Sequence, residues 1–392
     1  MNPRRILLEL FDCALRAVHG REAVARVLRG HSGTCSVFAV GKAASAMALG
    51  AHDALGGQIV ATLVVTKDGH ADPELVGFEG VTVIEAAHPV PDERSLAAGA
   101  ELERRLTALG KQIHPIFLVS GGSSSLIDIL GTGRTLAELR ALNQQGLRAG
   151  IDIESLNAQR ATISRLKSGG VARLLGDRQA TALFISDVPG DSPDVIGSGL
   201  LGHDGRNRDD IRRIVVANIG VAVGAVIERA RTHGLTFESR ATRFDRAAED
   251  VAREFVEALR LTAADGLVWG GESTVKLPAQ HGRGGRNTHL ALTAARLMAA
   301  EGPLTILAAG TDGSDGPTTD AGAMVDAGTL TRAELAGCDI ERAWRSFDSG
   351  TALECSEDLI HTGPTGTNVG DLLIGIKHPA WLPRGLGAER LL

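Results

Sequence analysis

PIFLVSGGSSSL (115–126) decides how the rest of the chain is read. Its first half is apolar on both faces, as a strand buried between two layers must be. It then breaks into two glycines and three hydroxyls where a helix is expected to begin. CSVFAV followed by GKAASA (35–46) repeats the same grammar. IVATLVV (59–65), VTVIE (81–85), TALFIS (181–186), LVWGG (267–271), LTILAAG (304–310) and LLIGI (372–376) are further buried-strand runs, and helical patterns fill most of the intervals. This alternation predicts an α/β fold with largely parallel sheets covered by helices. Eight strands over 392 residues suit two α/β domains better than one barrel. The boundary is placed near residue 235, in the polar stretch after Val216–Ile227, which reads as a tightly packed buried helix.

Composition narrows the function. Glycine is in excess, 49 of 392 residues, and it is clustered rather than periodic, so backbone is expected to approach ligands closely. Forty-one basic against 47 acidic residues, with no run of five basic side chains, argues against the electrostatic footprint of a nucleic-acid or anionic-membrane binder. Nine Phe, three Trp and no Tyr leave few stacking platforms for bases. Cys13, Cys35, Cys338 and Cys355 form no CxxC pair, so they are expected to be reduced and buried, not zinc ligands. The N-terminal MNPRRILLELFDCALRAV carries acidic residues inside its apolar run and reads as an amphipathic helix, not an export signal, which makes a cytoplasmic protein the expectation.

In open parallel sheets ligands bind beyond the carboxyl ends of strands, and the glycine clusters fall there. Lys42 follows the first strand and opens a helix, where a cation opposes the helix dipole unless a ligand justifies it. Arg286 likewise precedes the helical pattern NTHLALTAARLMAA, and an anion at that helix start would use the arginine and the free backbone N–H groups together. Gly121, Gly122, Ser123 and Ser124 suit phosphate oxygens. Lys167 with Gly169 and Gly170 forms a weaker candidate of the same kind. Asp187, Asp191 and Asp194 end one strand, Asp312, Asp315 and Asp320 another, and Glu272 a third. Two acidic loops beside phosphate-type glycine loops suit magnesium, which takes one or two carboxylates plus substrate phosphates. No GxxxxGK[ST], strand-following GxGxxG, kinase HRD or DFG, GxSxG or HExxH is present. The residues alone therefore describe a two-domain α/β enzyme for a phosphorylated, multiply anionic ligand.

Taken together, GKAASAMA (41–48), HPVPDERS (88–95), LVSGGSSSL (118–126), SDVPGDSPDVIGSG (186–199), GGESTV (270–275), GRGGRN (282–287), GTDGSDGPTTDAGA (310–323) and TGPTGTNVGDLLIGI (362–376) resemble the type II glycerate kinases with a C-terminal MOFRL domain. The resemblance implies a Rossmann-like N-terminal domain over 1–235 and a smaller MOFRL-type α/β domain over 236–392. It also implies transfer of the γ-phosphoryl of ATP to the 2-hydroxyl of D-glycerate, in a cleft between the domains. Lys42, Arg286 and Asp312 match the positions it implicates in catalysis. The ATP and Mg2+ expected with that reaction are assigned to Gly121, Gly122, Ser123, Ser124, Lys167, Gly169, Gly170, Gly284, Gly285 and Asn287 for the nucleotide, and to Asp187 and Asp191 for the metal. A homodimer is among the assemblies to expect.

The chain departs from the family pattern at Ala161 and Thr162, at Leu200, and at Thr288-His289. These positions are expected to line or neighbour the cleft, so a different small hydroxy acid stays open as substrate. Two further readings stay open beside it: hydroxypyruvate reduction, a label some members of the family carry, and a binding module without turnover.

Overall fold

The computed structural model describes residues 2–149, 153–205, 210–240, 243–278, 280–298 and 303–377. The chain divides into two compact units that interleave in sequence. One is built on Leu15–Val221 with Pro364–Gly370; the other is built on Ala222–Gly363 with the flanking segments that end at Ala14 and begin at Asp371. The expected boundary near residue 235 compares with a division inside the helix Ile219–Thr232. Among the described residues no helix is long and apolar enough to cross a membrane.

The first unit carries six strands: β1 (Cys35–Val40), β2 (Ile59–Lys67), β3 (Val81–Ala86), β4 (His114–Val119), β5 (Ala180–Ile185) and β6 (Ile211–Ala217). All pair in parallel, in the order β3-β2-β1-β4-β5-β6. β1 is buried at every position because helices cover both faces, and Phe38 stacks on Phe117 across the β1–β4 pair with ring centroids 5.2 Å apart. The strand order reverses between β1 and β4, and such a switch point opens a crevice beyond the carboxyl ends of those two strands. Val40 and Val119 are those ends.

The second unit carries β7 (Phe237–Ser239), β8 (Gly266–Gly271), β9 (Leu304–Gly310), β10 (Gly322–Asp326), β11 (Leu359–Ile360) and β12 (Asp371–Lys377), in the order β11-β10-β9-β12-β8-β7. Its α/β character stands, but of the strand pairs among the described residues β7–β8 alone is parallel. The β8–β12, β12–β9, β9–β10 and β10–β11 pairs run antiparallel, where largely parallel pairing was expected. β8 and β9 do run in the same direction, joined through the helix Arg286–Met298, but β12 lies between them running the opposite way. The loop from β9 to β10 contains no helix that could carry a parallel crossover. Phe255 meets Trp269 edge-on at 4.9 Å in a core that is otherwise mostly aliphatic.

All eight expected strands are present; β6, β7, β10 and β11 were not anticipated. β6 begins Ile-Arg-Arg, β7 and β11 are three and two residues long, and β10 starts inside a glycine loop read as ligand-binding. The helix Ile219–Thr232 is only half buried, with Val221 45% exposed, rather than enclosed. Cys338 and Cys355 are joined in a disulfide, their Cα atoms 6.5 Å apart, which corrects the expectation of reduced cysteines at those two positions. Cys13 and Cys35 are free thiols, and burial pushes the Cys35 thiol up to about 11.

Candidate active site

In the first unit the loops after β1 and β4 are laced together at the switch point. Lys42 N–H donates to the Gly121 carbonyl at 3.0 Å, Ser120 N–H to the Val40 carbonyl at 3.0 Å, and Ala43 N–H to Ser120 Oγ at 3.1 Å. Lys42 is half-buried just ahead of the helix Ala44–Leu55. Gly121 is required by a close approach: a Cβ there would lie 1.8 Å from Asp187 Oδ2 and 2.0 Å from Asn368 Nδ2. Asn368 itself donates to Asp187 Oδ2 at 2.9 Å. Gly122, at φ +86°, faces Lys42 and His88, whose nearest atoms would be 3.1 and 3.2 Å from a Cβ at 122. The glycine loop thus separates a cation, Lys42, from a carboxylate, Asp187.

Ser123 Oγ is buried without a hydrogen-bond partner among the described residues, while Ser124 Oγ pairs with Ser198 Oγ at 2.8 Å. Asp191 accepts from Asn218 Nδ2 at 2.6 Å. Among the described residues no three His, Cys, Asp or Glu are gathered as a metal cage. Asp187 and Asp191 are hard oxygen donors of the number magnesium takes when phosphates supply the remaining ligands, so the residues fit that role.

The Lys167 turn is different. Lys167 is fully buried, its Nζ donating to the Ile127 carbonyl at 3.0 Å and lying 3.7 Å from Asp128 Oδ2. Burial lowers its pKa, with Asp128 opposing. Gly169 N–H donates to the Gly199 carbonyl at 2.6 Å, and a Cβ on Gly170 would lie 2.0 Å from the Arg165 carbonyl oxygen. The chain's own backbone fills the space that was read as phosphate-binding, and the lysine is turned inward.

In the second unit three strand ends converge. Asp371, the first residue of β12, stands opposite Gly271 of β8 and Gly310 of β9, and those strands lead into Glu272 and Asp312. Arg286 joins them: Nε donates to Asp371 Oδ2 at 2.5 Å, and Nη2 to Asp371 Oδ1 at 2.9 Å and to Glu272 Oε1 at 2.7 Å. Burial opposes the guanidinium's charge, but Asp371 and Glu272 outweigh it and raise the pKa well above the ordinary arginine value. Asp312 is buried, with Oδ1 accepting from Ser314 N–H at 3.0 Å and Oδ2 from Ser314 Oγ at 3.1 Å.

At the helix start behind Arg286, the N–H groups of residues 287 and 288 are taken by a carboxylate of the chain itself. Asp315, 1% exposed, occupies it: Oδ1 accepts from Asn287 N–H at 2.9 Å and Oδ2 from Thr288 N–H at 2.8 Å. Gly285 accommodates this carboxylate, since a Cβ there would lie 2.4 Å from Asp315 Cγ, and a Cβ on Gly284 would meet Ser349 Oγ at 2.5 Å. The glycines of GRGGRN are thus packed by the protein itself, and Asn287 is buried with its Nδ2 unpaired.

The departures from the family pattern also fall largely outside these clusters. His289 is buried, stacked on Phe347 at 4.4 Å and paired with Glu249 at 2.9 Å. Leu200 is a core residue, and Thr162 is exposed on its helix with Oγ1 bonded to the Gln159 carbonyl. Sequence reading missed Asp315, as a helix cap, and Asn368 and Asp371. The last two lie in the matched segment TGPTGTNVGDLLIGI, from which no residue was taken.

Residues 6–230 match a domain of unknown function, DUF4147, and residues 266–371 match the MOFRL family. A D-glycerate 2-kinase of Thermotoga maritima is 32% identical over 95% of this chain and 98% of its own length. An Agrobacterium vitis protein that carries a provisional hydroxypyruvate reductase name is 33% identical over 87% of this chain and 98% of its own. The crystal structure of the Thermotoga maritima glycerate kinase superposes with a TM-score of 0.82 at 30% identity, covering 95% of this chain and 99% of that one. The chain belongs to the glycerate 2-kinase family, in which a DUF4147 domain is followed by MOFRL.

Proposed function

We propose that this chain transfers the γ-phosphoryl of ATP to the 2-hydroxyl of D-glycerate, giving 2-phosphoglycerate and ADP. The observation that carries the reading is the glycine loop after β4, held at the sheet's switch point between the Lys42 cation and the Asp187 carboxylate. That composition suits a triphosphate whose charge must be neutralised as it reacts. Lys42 neutralises phosphoryl charge, and backbone N–H groups of the loop serve the nucleotide phosphates. Asp187 and Asp191 would hold magnesium, which would supply further neutralisation of the triphosphate.

In the same reaction Asp312 orients the 2-hydroxyl and takes its proton as the oxygen bonds to the γ-phosphorus and the bond to the leaving ADP oxygen breaks. Arg286 remains charged throughout. Among the described residues its Nη1 makes no hydrogen bond, so that nitrogen is available for the substrate carboxylate or the transferring phosphoryl. The name of the Thermotoga maritima relative supports the choice of substrate.

The test is ADP release by the purified chain with ATP, magnesium and a panel of hydroxy acids that includes D- and L-glycerate, with Lys42→Ala and Asp312→Asn in parallel. Turnover of D-glycerate that collapses in both variants supports the reading. Turnover of another hydroxy acid with D-glycerate inert overturns the substrate, and silence with every acid overturns the kinase.

A further inference from the structure

We propose that Asp315 is a positioning residue for phosphoryl transfer, its carboxylate holding the helix turn that carries Arg286 in register with the loop that carries Asp312. The proposal rests on the kinase reading above and deepens it. Asp315 touches neither substrate nor nucleotide in this account; it acts through its neighbours.

Three observations carry it. Asp315 lies on the same turn as Asp312, yet both its oxygens are spent on Asn287 and Thr288, the two residues that follow Arg286. The two glycine loops meet backbone to backbone there: besides the Gly285 approach, a Cβ on Gly316 would lie 3.3 Å from Gly285 Cα. The same turn is closed from within, Gly285 N–H donating to Thr288 Oγ1 at 2.9 Å, and Thr288 Oγ1 also accepts from Ser349 Oγ at 3.0 Å. One carboxylate therefore couples the positions of an arginine and an aspartate that arrive from different strands. An external carboxylate capping two N–H groups fixes a helix start as an N-cap side chain does, but from another loop.

Asp315→Asn keeps the shape and one acceptor oxygen but cannot accept from both N–H groups. The expected result is a fall in kcat of about 100-fold with KM for ATP within about twofold, since a displacement near 1 Å at the reacting groups costs about that much. In a double-mutant cycle with Arg286→Lys, the pair should lose little more than Arg286→Lys alone, because Asp315 acts through Arg286. Hydrogen exchange supplies a readout that needs no turnover: at least one of amides 287 and 288 should lose protection in Asp315→Asn, with the rest of the helix Arg286–Met298 unchanged. Gly285→Ala, which forces the carboxylate away without altering it, should reproduce both effects and stands in if Asp315→Asn does not fold. Wild-type kcat in Asp315→Asn, full additivity in the cycle, or unaltered exchange at 287 and 288 overturns the proposal while leaving the kinase standing. An inactive wild-type protein overturns the kinase, and with it the positioning role of Asp315 in phosphoryl transfer, even where the exchange response is seen.

Discussion

Arg286 and Asp371 form a two-pronged ion pair in which one partner is buried and the other is not. Asp371 is 2% exposed, and the Arg286 side chain is 35% exposed. The carboxylate is fixed by strand register and the guanidinium is fixed by the carboxylate, so the orientation of a surface-reaching cation is set from inside a sheet. Such forks resist replacement by a point charge.

Arg286→Lys is expected to lower kcat on D-glycerate roughly 100-fold although charge is conserved, because lysine cannot hold the fork and reach outward at once. Asp371→Asn should destabilise the fold by about 1–3 kcal/mol through loss of charge-assisted hydrogen bonds. Steady-state ADP release and urea midpoints measure the two effects. A fully active Arg286→Lys would remove the geometric role assigned to Asp371.

Lys42→Ala should cost about 100- to 1,000-fold in kcat, the range for removing one preorganised charge from a developing anion. Its folding should be close to wild type, because the backbone N–H of residue 42 holds the loop to Gly121. Equal urea midpoints with collapsed turnover would agree; a large stability loss would point to a structural lysine.

Gly121→Ala places a methyl group within 1.8 Å of Asp187 Oδ2 in the present geometry, so Asp187 and Asn368 must move apart. Both Gly121→Ala and Asp187→Asn should raise the magnesium concentration for half-maximal turnover about tenfold, roughly 1.4 kcal/mol of lost binding. Magnesium titrations at saturating ATP decide it. An unchanged requirement in Asp187→Asn would move the metal elsewhere.

Asp315 supplies a pH signature. Burial pushes its pKa up to about 6; the two backbone N–H groups oppose the shift, and Asp371 adds to it. In an unfolded chain aspartate titrates near ~3.9. Between those values the folded state holds a proton that the unfolded state has released, so the contribution of Asp315 to stability declines as pH rises from about 4 to about 6 and is level above. Asn does not titrate. The stability advantage of wild type over Asp315→Asn should therefore shrink across that window, by about 3 kcal/mol at most. Denaturation at pH 4.5 and pH 7.5 reads it out, and a difference that does not change with pH contradicts the shift.

The readable part of the fold was the part with strong local signals. β1, β4 and β9 are continuous apolar runs that end in glycine-bearing loops, and a run buried on both faces has one place to go. β7 and β11 are too short to show a period, and the second and third residues of β6 are arginines. The candidate site divides in the same way. Lys42 and Arg286 were visible because a cation at a helix start is locally unfavourable. The burial of Lys167 beside Asp128 leaves no trace in a Lys-Ser-Gly-Gly turn.

The sequence by itself determined the α/β class, the strand ends at which chemistry collects, and, through its motifs, the family. Those are properties of local periodicity and composition, which each segment carries wherever it is placed. Only the tertiary structure decided that β12 enters between β8 and β9 in the opposite direction, that Asp371 grips Arg286, and that Asp315, not an external anion, takes the N–H groups of residues 287 and 288. Each of these joins groups brought together by folding, and a partner chosen by folding is invisible until the strands are paired.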